Sequence, residues 1–204
     1  MILIALAAQL AAPTPQKFTS WFSPDDMPGY VERGVISRRS LLRWTIQPDS
    51  AVQSCDVTQG SGDSRVDSFS CELVLKRGHY NPARWTDGTP VHGVVEFPIN
   101  WYVGDNQPQL DPQLIPQFTV DNLPRGSKSP AFIFTALAVS DKGAIIACGA
   151  GPTQYPGRSD PEILVKIACT ALVESYHPVI VKDINGLPVR SVQTRSVEFV
   201  KAPR

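Results

Sequence analysis

One spacing occurs twice in this chain and restricts the folds that it can adopt. Cys71 and Gly88 are 17 positions apart, and Cys169 and Gly186 are also 17 positions apart. The residues around the two glycines correspond, because Asp-Gly-Thr-Pro-Val at the first matches Asn-Gly-Leu-Pro-Val at the second. A spacing that recurs with matching turn residues indicates an internal repeat. We therefore predict two copies of one unit within the 204 residues.

Hydrophobic periodicity predicts the same order of elements, β-β-α-β, in both copies. In the first copy, the Ser64-x-x-Asp67 pattern predicts a capped helix that ends at Gly78. In the second copy, Asp160 and Pro161 are the residues expected at a helix start. The predicted strands are 40–46, 51–58 and 91–103 in the first copy and 131–140, 144–148 and 189–200 in the second. The predicted fold class is α+β, with an antiparallel sheet packed by one helix in each copy.

The N-terminal residues have the pattern of an export signal. The stretch MILIALAAQLAA is apolar and ends in small residues, but it is shorter than the ~20 residues that cross a bilayer. This is typical of a secretory signal peptide, and the alternative is an apolar N-terminal tail or a mis-assigned start codon. We therefore expect a periplasmic or secreted protein without a stable membrane anchor. The predicted segments are a signal peptide at 1–12, a lead-in at 13–27 with Trp21 and Phe22 docked on the body, the first copy at 28–103, a proline-rich connection at 104–130 and the second copy at 131–204.

Four cysteines occupy equivalent places, one on the second strand and one on the helix of each copy. A helix that crosses a sheet can bring two such Cβ atoms within the ~3.5–4.5 Å that a disulfide requires. We predict the pairs Cys55–Cys71 and Cys148–Cys169, with free buried thiols as the alternative. No Cys-x-x-Cys pair occurs and no histidine adjoins a cysteine, which argues against a metal site and against a redox catalyst.

Charge and motifs argue against several classes of function. Lys plus Arg and Asp plus Glu both total 19, so there is no basic excess of the kind that binds nucleic acid. The three histidines, His79, His92 and His177, are scattered, and no Gly-x-Ser-x-Gly or His-Glu-x-x-His motif occurs. We therefore expect no enzymatic activity, no catalytic or metal-binding residues and no cofactor.

The first copy resembles the C-terminal domain of TonB-type energy transducers. The resemblance depends on the order of several short pieces along 28–103 rather than on one motif. These pieces are the hairpin 42–57, Ser61-Gly62, Val66-Asp67, the helix exit Tyr80-Asn81-Pro82-Ala83 and the turn Asp87-Gly88-Thr89-Pro90-Val91 before the closing strand. The second copy keeps the cysteine, the proline after the helix and the Asn-Gly-x-Pro-Val turn, but it lacks the Ser-Gly pair. The family's transducers also carry a membrane anchor and a long proline-rich spacer, and we expect neither here.

The resemblance implies a module whose closing strand accepts an extended segment of an outer-membrane receptor by strand addition. The corresponding edges in this sequence are 92–102 and 189–200. The alternative is that each edge is covered by the other copy or by the second subunit of a homodimer. The candidate partner-binding residues are His92, Val94, Glu96, Val189, Arg190, Gln193 and Arg195.

Two hypotheses for the function follow. The first is an exported, non-enzymatic protein that binds a protein partner in the periplasm or outer membrane. Its candidate partner is a TonB-dependent receptor, which would link the protein to TonB-dependent transport. The second is a secreted protein that binds small molecules or cell-wall glycans in a cleft between the copies, with Trp85 exposed in that cleft.

Overall fold

Two α-helices and twelve β-strands lie in the residues that the computed structural model describes, which are 10–27, 29, 38–102, 115–125, 127, 129–152 and 161–202. The helices are α1 (Ser64–Arg77) and α2 (Glu162–Ser175). The strands are β1 (Thr14–Pro15), β2 (Arg38–Ile46), β3 (Val52–Gln59), β4 (Tyr80–Asn81), β5 (Ala83–Arg84), β6 (Pro90–Trp101), β7 (Gln117–Val120), β8 (Ala131–Val139), β9 (Ile145–Ala150), β10 (Val181–Lys182), β11 (Pro188–Val189) and β12 (Ser191–Lys201).

Eight of these strands pair into one sheet, whose main path runs β3-β2-β6-β12-β8-β9. The neighbours on this path are antiparallel except for β6 and β12, which run parallel. Their contact pairs Ser191 with His92, Val192 with Gly93 and Gln193 with Val94. The chain is therefore a mixed α+β protein. One short parallel contact joins a first half (β2, β3, α1 and β6) to a second half (β8, β9, α2 and β12).

The two helices lie on opposite faces of the sheet. Ile99 of β6 packs with α1 in one apolar cluster. Val94 points to the other face, because side chains alternate along a strand. Gln193 is paired with Val94 and shares its face, and so does Val197, which packs with α2. The parallel contact therefore turns the second half over relative to the first.

The six predicted strands are present as β2, β3, β6, β8, β9 and β12, and the short strands β1, β4, β5, β7 and β10 were not predicted. The predicted closing strand 189–200 is interrupted at Arg190. The reason is that β11 pairs back with β10 in a short hairpin, whereas β12 enters the main sheet. The predicted connection 104–130 contains β7, which pairs in parallel with the end of β12. Residues 104–114, 126 and 128 of that connection lie outside the described part of the chain, as does Val103 at the end of the predicted strand 91–103.

The helix starts differ from the predicted caps. Asp63, rather than Ser64, caps α1, because its carboxylate accepts a hydrogen bond from the Arg65 backbone N–H at 3.0 Å. α2 begins directly after Pro161, which occupies the cap position itself. The predicted cap residue Asp160 lies outside the described residues.

Asp67 does not complete a capping box because its carboxylate faces the sheet. It accepts hydrogen bonds from the Ser40 hydroxyl at 2.5 Å and from the Ser61 backbone N–H at 2.9 Å. Both Asp67 and Ser40 are buried. A buried carboxylate needs such donors, and these two tie the loop before α1 to strand β2.

Apolar side chains fill a core beneath each helix. In the α1 core, the Trp44 indole N–H donates to the Tyr80 hydroxyl at 2.8 Å, and burial raises the pKa of that hydroxyl. Trp21 of the lead-in is buried in the same core and Phe22 packs against it, as predicted. The buried residues of the α2 core are Ala131, Ile133, Leu137, Val139, Leu164, Val165, Ala168, Leu172, Val197 and Phe199.

An ion-pair cluster, here called the Glu96 clamp (Arg43, Glu96 and Arg195), joins three strands just beyond the parallel contact. Arg43 of β2 donates to Glu96 Oε2 from Nη2 at 2.6 Å and from Nε at 3.0 Å. Arg195 of β12 donates to the other carboxylate oxygen, and its guanidinium lies 5.2 Å from the centre of the Tyr176 ring. The Glu96 side chain is only 9% exposed. Removing a carboxylate shielded in this way deprives two arginines of their shared partner.

Replacing Glu96 with Gln should therefore lower the free energy of unfolding by about 1–3 kcal/mol, less than for a fully buried pair because Arg43 reaches water. Urea denaturation followed by tryptophan fluorescence measures this change. The matched control is Asp56→Asn, since Asp56 is exposed and lies opposite Arg43 on β3. The control should change stability by about 0.5 kcal/mol or less. Equal effects of the two substitutions would contradict the role given to the clamp.

Candidate functional site

The predicted partner-binding residues lie near the middle of the sheet. β12 pairs with β8 along 191–199 on one edge, and with β6 at 191–193 and β7 at 198–201 on the other. β6 pairs with β2 along 93–101 on its own other edge. The two closing strands therefore cover part of each other's edge, and their backbone groups are used within the chain at these positions.

Several of the predicted partner-binding residues make side-chain contacts inside the protein, either between the two halves or within the second half. Gln193 is 1% exposed. Its side-chain amide accepts a hydrogen bond from the Val179 N–H at 3.2 Å and donates one to the Val179 C=O at 2.6 Å. Arg190 donates to the Thr89 hydroxyl at 2.7 Å, and its guanidinium lies 5.0 Å from the centre of a Trp85 ring. Trp85, which the second hypothesis places in an open cleft, is half-buried.

The other predicted residues are also engaged within the fold. Val189 pairs with Val181 in the β10–β11 hairpin, and Val94 is buried. Glu96 and Arg195 belong to the Glu96 clamp. Sequence reasoning could not place these residues, because the register between two distant strands leaves no local pattern in the chain.

The outer edges of the sheet are β3 and β9, and no strand in the described residues pairs with the outer side of either. β3 departs from regular pairing at two places, between Leu41 and Leu42 and between Thr45 and Ile46 of its neighbour β2. Such irregularities twist an edge strand and limit uncontrolled edge-to-edge aggregation. The outer edge of β3 is therefore open but irregular.

A groove, here called the β3–α1 groove, runs between the edge strand β3 and helix α1. Its volume is about 570 Å³. Val57 on β3 and Leu75 on α1 are 42% and 47% exposed, so each wall presents a large apolar side chain to water. The residues that line the groove are Cys55, Val57, Ser68, Cys71, Glu72, Leu75 and Lys76.

The local sequence explains why these apolar side chains stay exposed. Val57 is paired with Leu42, which is fully buried, but Val57 itself stands on the last strand of the sheet. On α1, Leu73 and Val74 pack into the core. Leu75 follows one further step of about 100° around the helix and turns outward. Val57 and Leu75 are therefore exposed because both lie at the edge of the fold.

The charges at the rim of the groove are balanced. Glu72 and Lys76 lie one turn apart on α1 and bring one charge of each sign. Neither sign dominates, so the groove offers little attraction to a strongly charged ligand. Its chemistry fits an extended segment with apolar side chains.

Both predicted disulfides are present. Cys55–Cys71 links β3 to α1 and Cys148–Cys169 links β9 to α2, with a Cα–Cα distance of 5.6 Å in each. No free cysteine remains. The first disulfide belongs to the β3–α1 groove, so it fixes the spacing between the strand wall and the helix wall.

Metal sites and membrane-spanning helices were also considered within the described residues. No group of three His, Cys, Asp or Glu side chains in that part of the chain is placed to hold a metal ion. None of the described helices is both long and apolar enough to cross a membrane.

Comparisons with known proteins return no relative. A scan against protein-family models, a search of curated proteins and a search of solved structures each find no match to this chain.

Removing the first disulfide, by Cys55→Ala together with Cys71→Ala, should lower the free energy of unfolding by about 3 kcal/mol, because the bond closes a loop of 16 residues. Chemical denaturation of the double variant beside the wild type measures this loss. A thiol assay on denatured, unreduced wild type should find no reactive cysteine. Four titratable thiols would contradict the bonded state.

His92 should make stability rise with pH between about pH 5 and pH 7. Burial lowers the pKa of His92, and the charges of Asp183 and Asp49 oppose that shift less strongly. The unfolded chain therefore binds this proton more tightly than the folded protein, and acid favours unfolding. Melting temperatures across this range should rise less steeply for His92→Gln than for the wild type. His177→Gln, at an exposed histidine, is the control; a His92→Gln profile parallel to that of the wild type would contradict the prediction.

Proposed function

We propose that this protein is an exported, non-enzymatic binding protein that takes up an extended segment of a protein partner in the β3–α1 groove. The partner lies in the periplasm or outer membrane, and a TonB-dependent receptor is the candidate. One observation carries the proposal: the open outer edge of β3 runs beside a groove whose two walls expose Val57 and Leu75. An added strand would gain backbone hydrogen bonds from the edge and bury alternate side chains in the groove.

Burial of Val57 and Leu75 would supply part of the free energy of binding. Fully burying a Val or Leu side chain stabilises a complex by roughly 1.5–3 kcal/mol, and about half of each of these side chains remains to be buried. Together they contribute roughly 1.5–3 kcal/mol, which corresponds to about a tenfold or larger change in affinity. Backbone hydrogen bonds to β3 add to this. The Cys55–Cys71 disulfide holds the walls in place before binding, which reduces the ordering cost.

In this proposal the partner docks on the outer edge of β3 and not on the closing strands β6 and β12. The family resemblance points to β6 and β12, but these strands cover part of each other's edge. β3 is paired on one side with β2 and, in the described residues, carries no strand on its other side. Strand addition needs such an edge.

We also propose that the two halves are diverged copies of a TonB C-terminal-like unit. Both halves follow the order strand, strand, helix, hairpin and long strand. The short hairpins pair in the same way, Ala83 with Val91 and Val181 with Val189. Their turn glycines, Gly88 and Gly186, have φ angles of 84° and 80°. The two disulfides occupy corresponding positions as well. Export agrees with these disulfides, because such bonds persist in oxidising compartments.

The test is a selection of random displayed peptides on the immobilised full chain, followed by affinity measurements on selected peptides by fluorescence anisotropy. Leu75→Glu should weaken binding of the selected peptides at least tenfold, because it places a charge on the apolar wall of the groove. The matched control is Val173→Glu, which makes the same kind of change on α2, where Val173 is 55% exposed. The control should leave the affinity unchanged.

Two outcomes would count against the proposal. The first is a selection that yields no peptide with specific affinity. The second is a set of peptides whose affinity falls equally with Leu75→Glu and Val173→Glu.

A further inference from the structure

A different edge of the protein already holds an extended segment. Residues 11–16 lie antiparallel along residues 79–84, which include β4 and β5. Ala11 and Arg84 exchange two backbone hydrogen bonds, at 3.0 and 2.8 Å, and the Gln16 N–H donates to the His79 carbonyl at 2.8 Å. The paired positions keep one register throughout, including the β1–β4 pair. The chain therefore performs strand addition on itself at this edge.

Three apolar side chains of the segment face the body of the protein. Leu10 and Ala12 pack on an apolar cluster where the two halves meet. The buried members of this cluster, here called the junction cluster, are Ala83, Val91, Ala136 and Val192. Pro13 follows directly and lies against Gly93, where a Cβ atom would be 2.7 Å from the proline ring. The absence of a side chain at Gly93 thus makes the space that Pro13 occupies.

The segment is held by few bonds. Pro13 and Pro15 have no N–H to donate, so the pairing depends on the backbone groups of Ala11, Thr14 and Gln16 and on side-chain bonds at Asn81. A two-stranded pairing of this length is marginal by itself. Another segment with the same pattern of side chains can therefore compete for the edge.

We infer that the 79–84 edge, with the junction cluster beneath it, is a second strand-docking site. It fits an extended segment of a partner protein with apolar side chains two residues apart, the second followed by proline. Residues 10–16 are the intramolecular competitor of that segment. The predicted signal peptide ends at Ala12, so its removal would take Leu10 and Ala12 off the junction cluster and open the site. This site is separate from the β3–α1 groove.

The experiment uses the full chain and a labelled synthetic peptide with the sequence of residues 9–17 as the probe. Ala12→Asp in the chain should place a charge on the junction cluster, release the attached segment and tighten binding of the probe at least tenfold. In the wild type the attached segment competes at an effective concentration of about millimolar. The matched control is Ala144→Asp, at an exposed turn alanine, which should bind the probe as weakly as the wild type.

Two further variants test the chemistry of the site. A probe with Asp in place of its own Ala12 should not bind. Adding Gly93→Ala to the Ala12→Asp chain should abolish binding of the normal probe, because the new methyl group fills the space for Pro13. Random peptides selected on the Ala12→Asp chain should be enriched in the apolar-x-apolar-Pro pattern.

Three results would overturn the inference. The first is unchanged hydrogen exchange at the Ala11 and Arg84 amides in the Ala12→Asp chain, since the edge then does not depend on that side chain. The second is equal probe affinity of that chain and the wild type. The third is a concentration-dependent dimer of the wild type that exchanges residues 10–16, because the occupant would then be another molecule of this chain. Leu75→Glu should not affect the probe, so failure of this site and failure of the β3–α1 groove are distinguishable.

Discussion

The parallel contact between β6 and β12 is the interaction on which the rest of the arrangement depends. It is three residue pairs long, yet it merges two antiparallel halves into one sheet and sets α1 and α2 on opposite faces. So short a contact needs reinforcement from side chains. The Glu96 clamp supplies it on one face, and the junction cluster supplies it on the other. Glu96 is bonded to arginines from both halves, so it helps to keep the register of the contact.

This central contact determines which surfaces are left for partners. The closing strands use part of their edges on each other, and the outer strands β3 and β9 become the ends of the sheet. On β3 the open edge coincides with an apolar groove whose walls are tied by a disulfide. At the 79–84 edge the chain itself demonstrates how an extended segment docks. Both proposed sites therefore use the same physics, unpaired backbone groups beside a small apolar surface.

Local signals predicted much of the fold. The alternation of apolar residues located β2, β3, β6, β8 and β9, and the equivalent places of the cysteines on a strand and a helix predicted both disulfides. The errors arise where a distant contact outweighs a local preference. Asp67 leaves the predicted capping box because the buried Ser40 hydroxyl offers it a bond across the sheet. β7 was not predicted because its short stretch is a strand only through its pairing with β12.

For the candidate sites, too, some features follow from the local sequence and others only from contacts between distant residues. Composition, periodicity and the places of the cysteines are features of the local sequence, so they identified a disulfide-bonded α+β protein. The pairing of β6 with β12 depends on residues about 100 positions apart, and no local pattern records it. That pairing moved the predicted docking residues, such as Gln193 and Arg195, from an edge into the interior of the sheet. It also left Val57 and Leu75 at an open edge, because only the assembled sheet decides which strand is last.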